Sequence, residues 1–353
     1  MQKDFHYCMI KVLSRIANFT EDEAQMIAYA SQYVDDAVEH EKIKIKNLPP
    51  DIKYPRYQDD LFDPICTAHK GVQYMICMDK VVQQKVYIPF HFIPIKKFDG
   101  KDKWNYVYTT SPGNAFAREL VDNAASELKN VKKGDKPKRE QKLVKLGIAL
   151  HTFADTWAHQ KFSGRHSPRD NDIERIHLLN EGKWERLPLL DRFKLNVLPD
   201  VGHAEALDFP DLTHLSWKYE HDYSGIEITR DNTNIFLEAA QTIFLLLCDI
   251  TGESPNWKKY EGNIKECLAY PTESMKQKFK KYQETFSIHD IHFDYDEDEW
   301  KKATLNGEFF NWRELDANDY GELKYKFNKD RKWFYFHMEA FEQRKFVIEN
   351  IPQ

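Results

Sequence analysis

Glycine and proline are scarce in this chain, 13 and 15 of 353 residues, which excludes a collagen-like repeat and a Gly/Pro-rich low-complexity chain. Cysteine is scarcer still. The five thiols, Cys8, Cys66, Cys77, Cys248 and Cys267, are odd in number and dispersed, with no CxxC pair to close a zinc ribbon or a redox centre. They read as reduced thiols of a cytoplasmic protein. Long apolar runs are missing: Ile243 to Cys248 is the longest, far short of the roughly 20 residues that span a bilayer. The opening MQKDFHYCMIKVL has no signal-peptide core. Neither sign of charge dominates, since 51 Lys+Arg against 57 Asp+Glu leave −6. That balance argues against a general grip on nucleic acid or anionic lipid, while leaving room for a local basic patch. What the chain does have is aromatic mass (23 Phe, 18 Tyr, 8 Trp), enough to build a core, and 14 histidines.

The periodicity reads as an all-α fold. Thr20 to Glu23 is a capping box that opens an amphipathic helix to about Val38. Further helices are expected over 67–82, from Ser111 to about Lys129, from about Arg139 to Phe162, and from after Asp231-Asn232-Thr233, with Asn232 or Thr233 as cap, to about Ile250 before Gly252. Val86 to Pro94 reads as extended, because its prolines oppose a helix. Lys132 to Arg139 reads as a solvated basic linker and Asp294 to Glu299 as a solvated acidic run. Beyond Ser254 the pattern becomes mixed and aromatic-rich, as at Phe309 to Trp312 and Trp333 to Phe336, with short helices near 274–285 and 330–346. This divides the chain into a helical domain, 1–253, which the stripe and the resemblance described below would make metal-binding and hydrolase-like, and a C-terminal extension, 254–353, packed on it.

The helix near residue 150 carries the chemistry. Steps of four drift only about 40° around a helix, so His151, Asp155 and His159 form one stripe. Their helix is apolar at Leu146, Ile148, Ala149, Leu150 and Phe153, and a polar stripe buried with it must be hydrogen-bonded, paired or metallated. Imidazoles and carboxylates without thiolates suit zinc, manganese or iron.

Leu146 to Asp155 resembles the central His-x-x-x-Asp helix of the zinc-dependent phospholipase C and S1/P1 nuclease superfamily, an all-α fold with a cluster of three zinc ions. His6, Asp35 or Asp36, and His69 fall in the same order as metal-binding residues of that superfamily. The segments MQKDFHY, YASQYVDDA, TAH, FHFIP, HTFADTWAHQKFSG and PDVGHAEALDFPD also resemble, over most of residues 1–250, a bacterial family known only as a domain of unknown function. The superfamily resemblance implies that Asp35 or Asp36, His69, His151 and Asp155 form one site, with Asp155 bridging to a second metal that takes His6. His159 and then Asp200 with His203, or else the spaced pair His177 and Glu181, would complete a third. His166 with Asp170 has the same spacing but is broken by Pro168. The superfamily also uses a freed terminal amine, which Met1 before bulky Gln2 does not readily supply, so two ions are the safer expectation.

The expected activity is metal-dependent phosphoester hydrolysis, of the phosphodiesterase, nuclease or phospholipase C kind, on a nucleotide-type substrate. Asp155 and Asp36 are the catalytic carboxylates of this reading. Lys161, Arg165 and His166, just beyond the metal helix, would hold the phosphate, and Tyr29, Tyr33 and Phe92 would wall a base. His91 fits equally a ligand, a supporting partner or a core histidine bonded to a carbonyl. A different class is a non-catalytic metal-binding protein whose C-terminal region contacts a protein partner. His221-Asp222 and His289-Asp290 raise an HD-type phosphohydrolase as a further alternative.

Overall fold

Thr20 accepts the amide of Glu23 while the Glu23 carboxylate accepts the amide of Thr20, so the expected box opens a helix. The computed structural model describes residues 2–39, 41–52, 55, 61–70, 76–187, 199–306 and 324–352. Its longer helices are α1 (a π-helical turn, Asp4–Met9, running into Ile10–Ile16), α2 (Glu21–Asp36), α3 (Ala115–Lys129), α4 (Lys136–Ala158), α5 (Asn232–Thr251), α6 (Glu261–Leu268), α7 (Met275–Thr285) and α8 (Lys332–Glu349). Asp135 caps α4, whose second residue is Pro137. Asp231 caps α5, which ends on left-handed Gly252.

α4 is the axis of the molecule, packed by α2, α3, α5 and α8. Its crossing with α2 is close because residue 147 is glycine: a Cβ there would meet Ile27 O at 2.4 Å and Ala30 Cβ at 2.6 Å. By length and composition α5 could cross a bilayer, yet its Phe236, Ala239, Ala240, Ile243 and Leu247 are buried in the helical core. α8 joins the same core. Glu339 meets Lys142 of α4 at 2.9 Å, and the Gln343 amide donates to Thr152 at 2.8 Å. The acidic run lies along α2, with its carboxylates outside, Trp300 stacked on Tyr29, and Tyr295 donating to Asp36.

The all-α expectation is wrong. The protein is mixed α/β, about 52% helix and 12% strand. One four-stranded sheet, β4-β3-β5-β6, is antiparallel throughout: β3 (Ile173–Asn180), β4 (Lys183–Arg186), β5 (Ser216–His221) and β6 (Ile226–Asp231). The other, β2-β1-β8-β7, pairs β1 (Ile43–Lys46) in parallel with β8 (Lys324–Phe327) and carries antiparallel β2 (Leu61–Phe62) and β7 (Leu305–Asn306) on its two sides. The β3–β4 turn uses positive φ at Glu181 (47°) and Gly182 (77°), which suits a two-residue hairpin. His177 therefore stands on a strand and Glu181 in a turn, so they form no helical metal pair.

Two local readings are also corrected. Val86 to Pro94 is not extended at its start: a π-helical turn, Gln83–Tyr87, leads into Ile88–Phe90 and ends at His91. The wider π turn accommodates Pro89, which has no amide to contribute. The helix expected over 67–82 begins only at Lys80 among the described residues, and 71–75 lie outside them, as do Met1, His40 and Phe309 to Trp312.

The antiparallel sheet has its own apolar cluster, in which Trp217 and Tyr219 pack with Phe92, Phe162, Val201 and Ala206. It braces the 199–212 loop. Asn171 Nδ2 donates to Asp200 O, and Asn232 Nδ2 donates to the carbonyls of Phe209 and Leu212. The histidines gather where this cluster meets the helical core.

Candidate metal centre

Asp155 is fully buried on α4 and is shared by histidines from three elements. His6, from the π-helical turn of α1, places Nε2 3.1 Å from Oδ1. On Oδ2, His91 Nδ1 lies at 3.1 Å and His151 Nε2 at 3.2 Å. Asp35, in the last turn of α2, brings Oδ1 to 3.6 Å from His151 Nε2 and 3.9 Å from His91 Nδ1. The His6 ring stacks on His151 at 3.8 Å, and His6 Nδ1 is buried without a hydrogen-bond partner among the described residues.

The backbone fixes which ring nitrogens carry protons. A carbonyl only accepts, so a ring nitrogen bonded to one must be N–H. His151 Nδ1 donates to Ser31 O at 2.8 Å and His91 Nε2 to Thr67 O at 2.9 Å. In the neutral rings, His91 Nδ1 and His151 Nε2 are then bare lone pairs, and they face each other at 3.2 Å as well as facing the same carboxylate oxygen. Three acceptors at mutual distances of 3.1, 3.2 and 3.2 Å repel one another unless a cation sits among them or a proton is held on one of the rings, a state Asp155 favours for His91. Tetrahedral zinc with bonds of about 2.0 Å sets its ligand atoms about 3.3 Å apart. The donor set therefore fits the metal the resemblance implies, and the carbonyl partners supply the outer support such histidines need.

A second group repeats the device. His159, the C-cap residue of α4, donates Nδ1–H to His91 O at 2.9 Å, and His203 donates Nδ1–H to Leu207 O at 2.8 Å. Their Nε2 atoms converge on Asp211, at 3.1 Å from Oδ1 and 3.4 Å from Oδ2. Gly202 keeps this group in place: at φ 61° a Cβ would sit 2.5 Å from Phe92 Cζ, and Phe92 stacks flat on His159 at 4.6 Å.

Electrostatics put several donors in ligand form but not all: burial opposes protonation of His91, yet the hydrogen bond and charge of Asp155, together with Asp35, outweigh it and raise that ring above its ordinary value. Burial lowers His159 to about 4, and burial with the neighbouring His151 takes His6 well below its ordinary value. Burial opposes ionisation of Asp155 and Asp211, but the facing histidines outweigh it and both sit well below the usual carboxylate range. Burial raises Asp35.

Asp35, His69, Lys70, Tyr87, His91, Phe92, His159, His203 and Asp211 line a cavity of about 320 Å³. The structure thus brings together His6, Asp35, His151, Asp155, His159 and His203. Asp36 points elsewhere, accepting from Lys70, Tyr295 and Gln32, so it is neither ligand nor base. His69 stands on the cavity wall, 3.5 Å from Cys66 Sγ, rather than with either metal group. Asp200 faces His166 at 3.7 Å and sits beside Asp172 and Glu205. Lys161 is exposed, and Arg165 lies over Tyr108 on a different cleft. None of Lys161, Arg165 and His166 lines the cavity, and neither do Tyr29 and Tyr33, which are core residues. His221 bonds Ser224 on the surface, and His289 packs against Tyr260, both away from the groups above.

Two candidate ligands are not singled out by sequence, although Asp208 and Asp211 lie close to the Asp200–His203 turn. His91 was placed only among alternatives; its signal was a histidine inside the apolar run Phe90 to Pro94. Asp211 lies eight residues past His203, a spacing no single helix or strand would flag.

The family model of a family of unknown function (DUF6765) matches residues 1–351, and the chain belongs to that family. No curated protein and no solved structure matches the chain.

Proposed function

We propose that this member of the family is a metal-dependent hydrolase of small phosphoesters, with zinc the best-fitting ion and manganese or iron possible alternatives. One observation carries the reading: His91, His151, His159 and His203 each spend one ring N–H on a backbone carbonyl and turn the other nitrogen toward carboxylates. Asp35, His91, His151 and Asp155 would hold one cation, and His159, His203 and Asp211 another. His6, on the Oδ1 side of Asp155, extends the set toward a third position, as the superfamily resemblance implies. When bound, such ions acidify water and polarise a phosphoryl oxygen.

The chain's own groups do the rest. Asp155 uses both oxygens, so it ties His6 to the His91–His151 pair. Among the described residues Lys70 is the basic side chain on the cavity wall, held at its mouth by Asp36 and Glu297, and it is placed to meet a phosphate. Phe92 and Tyr87 offer ring faces. A volume of about 320 Å³ is near the lower end for ligand sites, which favours a nucleotide or a lipid headgroup over a polymer.

The test is turnover by zinc-loaded protein of bis(p-nitrophenyl) phosphate, p-nitrophenyl phosphate, dinucleotides and p-nitrophenylphosphorylcholine. Hydrolysis of at least one, lost in His91→Ala and Asp211→Ala that remain folded, is the expected result. Metal-replete, folded protein inert on every class would overturn the enzyme reading and leave a non-catalytic metal protein.

A further inference from the structure

On the other side of the 83–88 helical turn from the metal cavity lies a second cleft, of about 350 Å³. Lys80, Lys103 and Arg165 line it together with Trp104, Tyr106 and Tyr108, and among the described residues no side-chain carboxylate lines it. Trp104 is 87% exposed, a large apolar surface left in water, and Lys101 and Lys103 beside it are exposed too. The chain segments that carry these lining residues also expose apolar side chains. Of the 13 large hydrophobic side chains exposed among the described residues, six fall between residues 76 and 107: Ile76, Met78, Val81, Ile95, Trp104 and Val107. Asp79, Asp99 and Asp102 lie in the same segments, and each turns its carboxylate to a backbone amide, of Val81, Lys101 and Trp104 respectively.

We propose that this face, the 76–82 turn with the 95–109 loop, docks the protein on an anionic phospholipid surface. Clustered exposed apolar residues mark contact surfaces. An indole at a loop tip with lysines around it is suited to the headgroup boundary, where the ring enters the acyl edge and the ammonium groups meet phosphates. Single-stranded nucleic acid would use the cations and rings but would leave the aliphatic side chains Ile76, Met78, Val81 and Val107 in water. A lipid surface covers both. The local excess of cations accounts for attraction in a chain whose total charge is −6. The proposal does not depend on the hydrolase reading.

The experiment is co-sedimentation of the full chain with phosphatidylcholine vesicles, with vesicles containing phosphatidylglycerol, and, separately, binding to a single-stranded oligonucleotide. Binding to the anionic vesicles alone is expected, weakened by salt. Replacing Lys80, Lys103 and Arg165 by Gln should lower partitioning roughly fivefold per cation, about a hundredfold for all three. Trp104→Ala, at a fully exposed position, should reduce it while leaving the circular dichroism spectrum and metal content unchanged. No binding to anionic vesicles, binding indifferent to these substitutions, or oligonucleotide binding in place of vesicle binding would each overturn the proposal.

Discussion

His151 and Asp155 stand one helical turn apart on α4 with Nε2 and Oδ2 3.2 Å from each other, although the only proton fixed on the His151 ring is on Nδ1, committed to Ser31 O. In the neutral ring that contact joins two acceptors, an arrangement suited to a cation, and it makes the carbonyl of Ser31 part of the candidate site.

Gly147→Ala tests that dependence. The added methyl would press on Ile27 O and Ala30 Cβ, forcing α2 away from α4 and moving Ser31 O from His151. Overpacking of this kind costs roughly 1–3 kcal/mol. The expected outcome is a lower thermal midpoint together with reduced metal content, by calorimetry and by elemental analysis of the same sample. A stability loss with full metal content would separate the crossing from the site.

Metal removal should destabilise the whole fold, because the ligands come from α1, α2, α4, the His91 turn and the 199–212 loop. A site filled at about a hundred times its dissociation constant contributes about 2.7 kcal/mol. Chelation is expected to lower the midpoint by about 5 °C or more, and added zinc to restore it. An unchanged melting curve would contradict this.

Lys142→Met should be destabilising without touching the metal. Lys142 and Glu339 form a largely buried pair between α4 and α8, and removal of the lysine deprives the carboxylate of its nearest cation, leaving Lys145 at 3.9 Å, and takes a partner from Glu127. Because Gln141 still donates to Glu339 at 2.7 Å, a loss of about 2–3 kcal/mol is expected in denaturant unfolding, with metal stoichiometry unaltered.

Acid should weaken the fold partly through His337. Burial holds this histidine well below its ordinary value; Nδ1 accepts from Ile65 N at 2.9 Å, and Trp333, Phe62 and Tyr33 surround the ring. The unfolded chain protonates it near 6.5 while the folded chain does not, so its contribution is present above that pH and lost as pH falls below it. His337→Asn, measured in metal-free protein, should flatten the fall of the midpoint between about pH 7 and 5 relative to the parent. An identical slope would show that the ring does not titrate on unfolding.

What could be read from the sequence follows from how local each signal is. The capping box at Thr20 on α2 and the stripe His151, Asp155, His159 along α4 to its C-cap are each local to a single helix, where spacing alone fixes direction. His91 and Asp211 come from irregular chain, and their aim is set by Thr67 O, the π turn before Ile88 and the sheet behind the 199–212 loop. The sheets were missed for a related reason. The β3–β4 hairpin is studded with Glu174, Arg175, Lys183 and Glu185, so its alternation is masked by charge, although Trp217 and Tyr219 on β5 alternate with polar residues. Asp35 and Asp36 were indistinguishable by sequence; the rotation of α2 sends the first to the histidines and the second to Lys70 and Tyr295.

The claim that these residues form a metal centre is tested most directly by anomalous diffraction at the zinc edge from crystals of zinc-reconstituted protein. The account predicts one peak among Asp35, His91, His151 and Asp155 and another among His159, His203 and Asp211. No anomalous density at either place, with His91 and His151 bonded to Asp155 through protons instead, would contradict it.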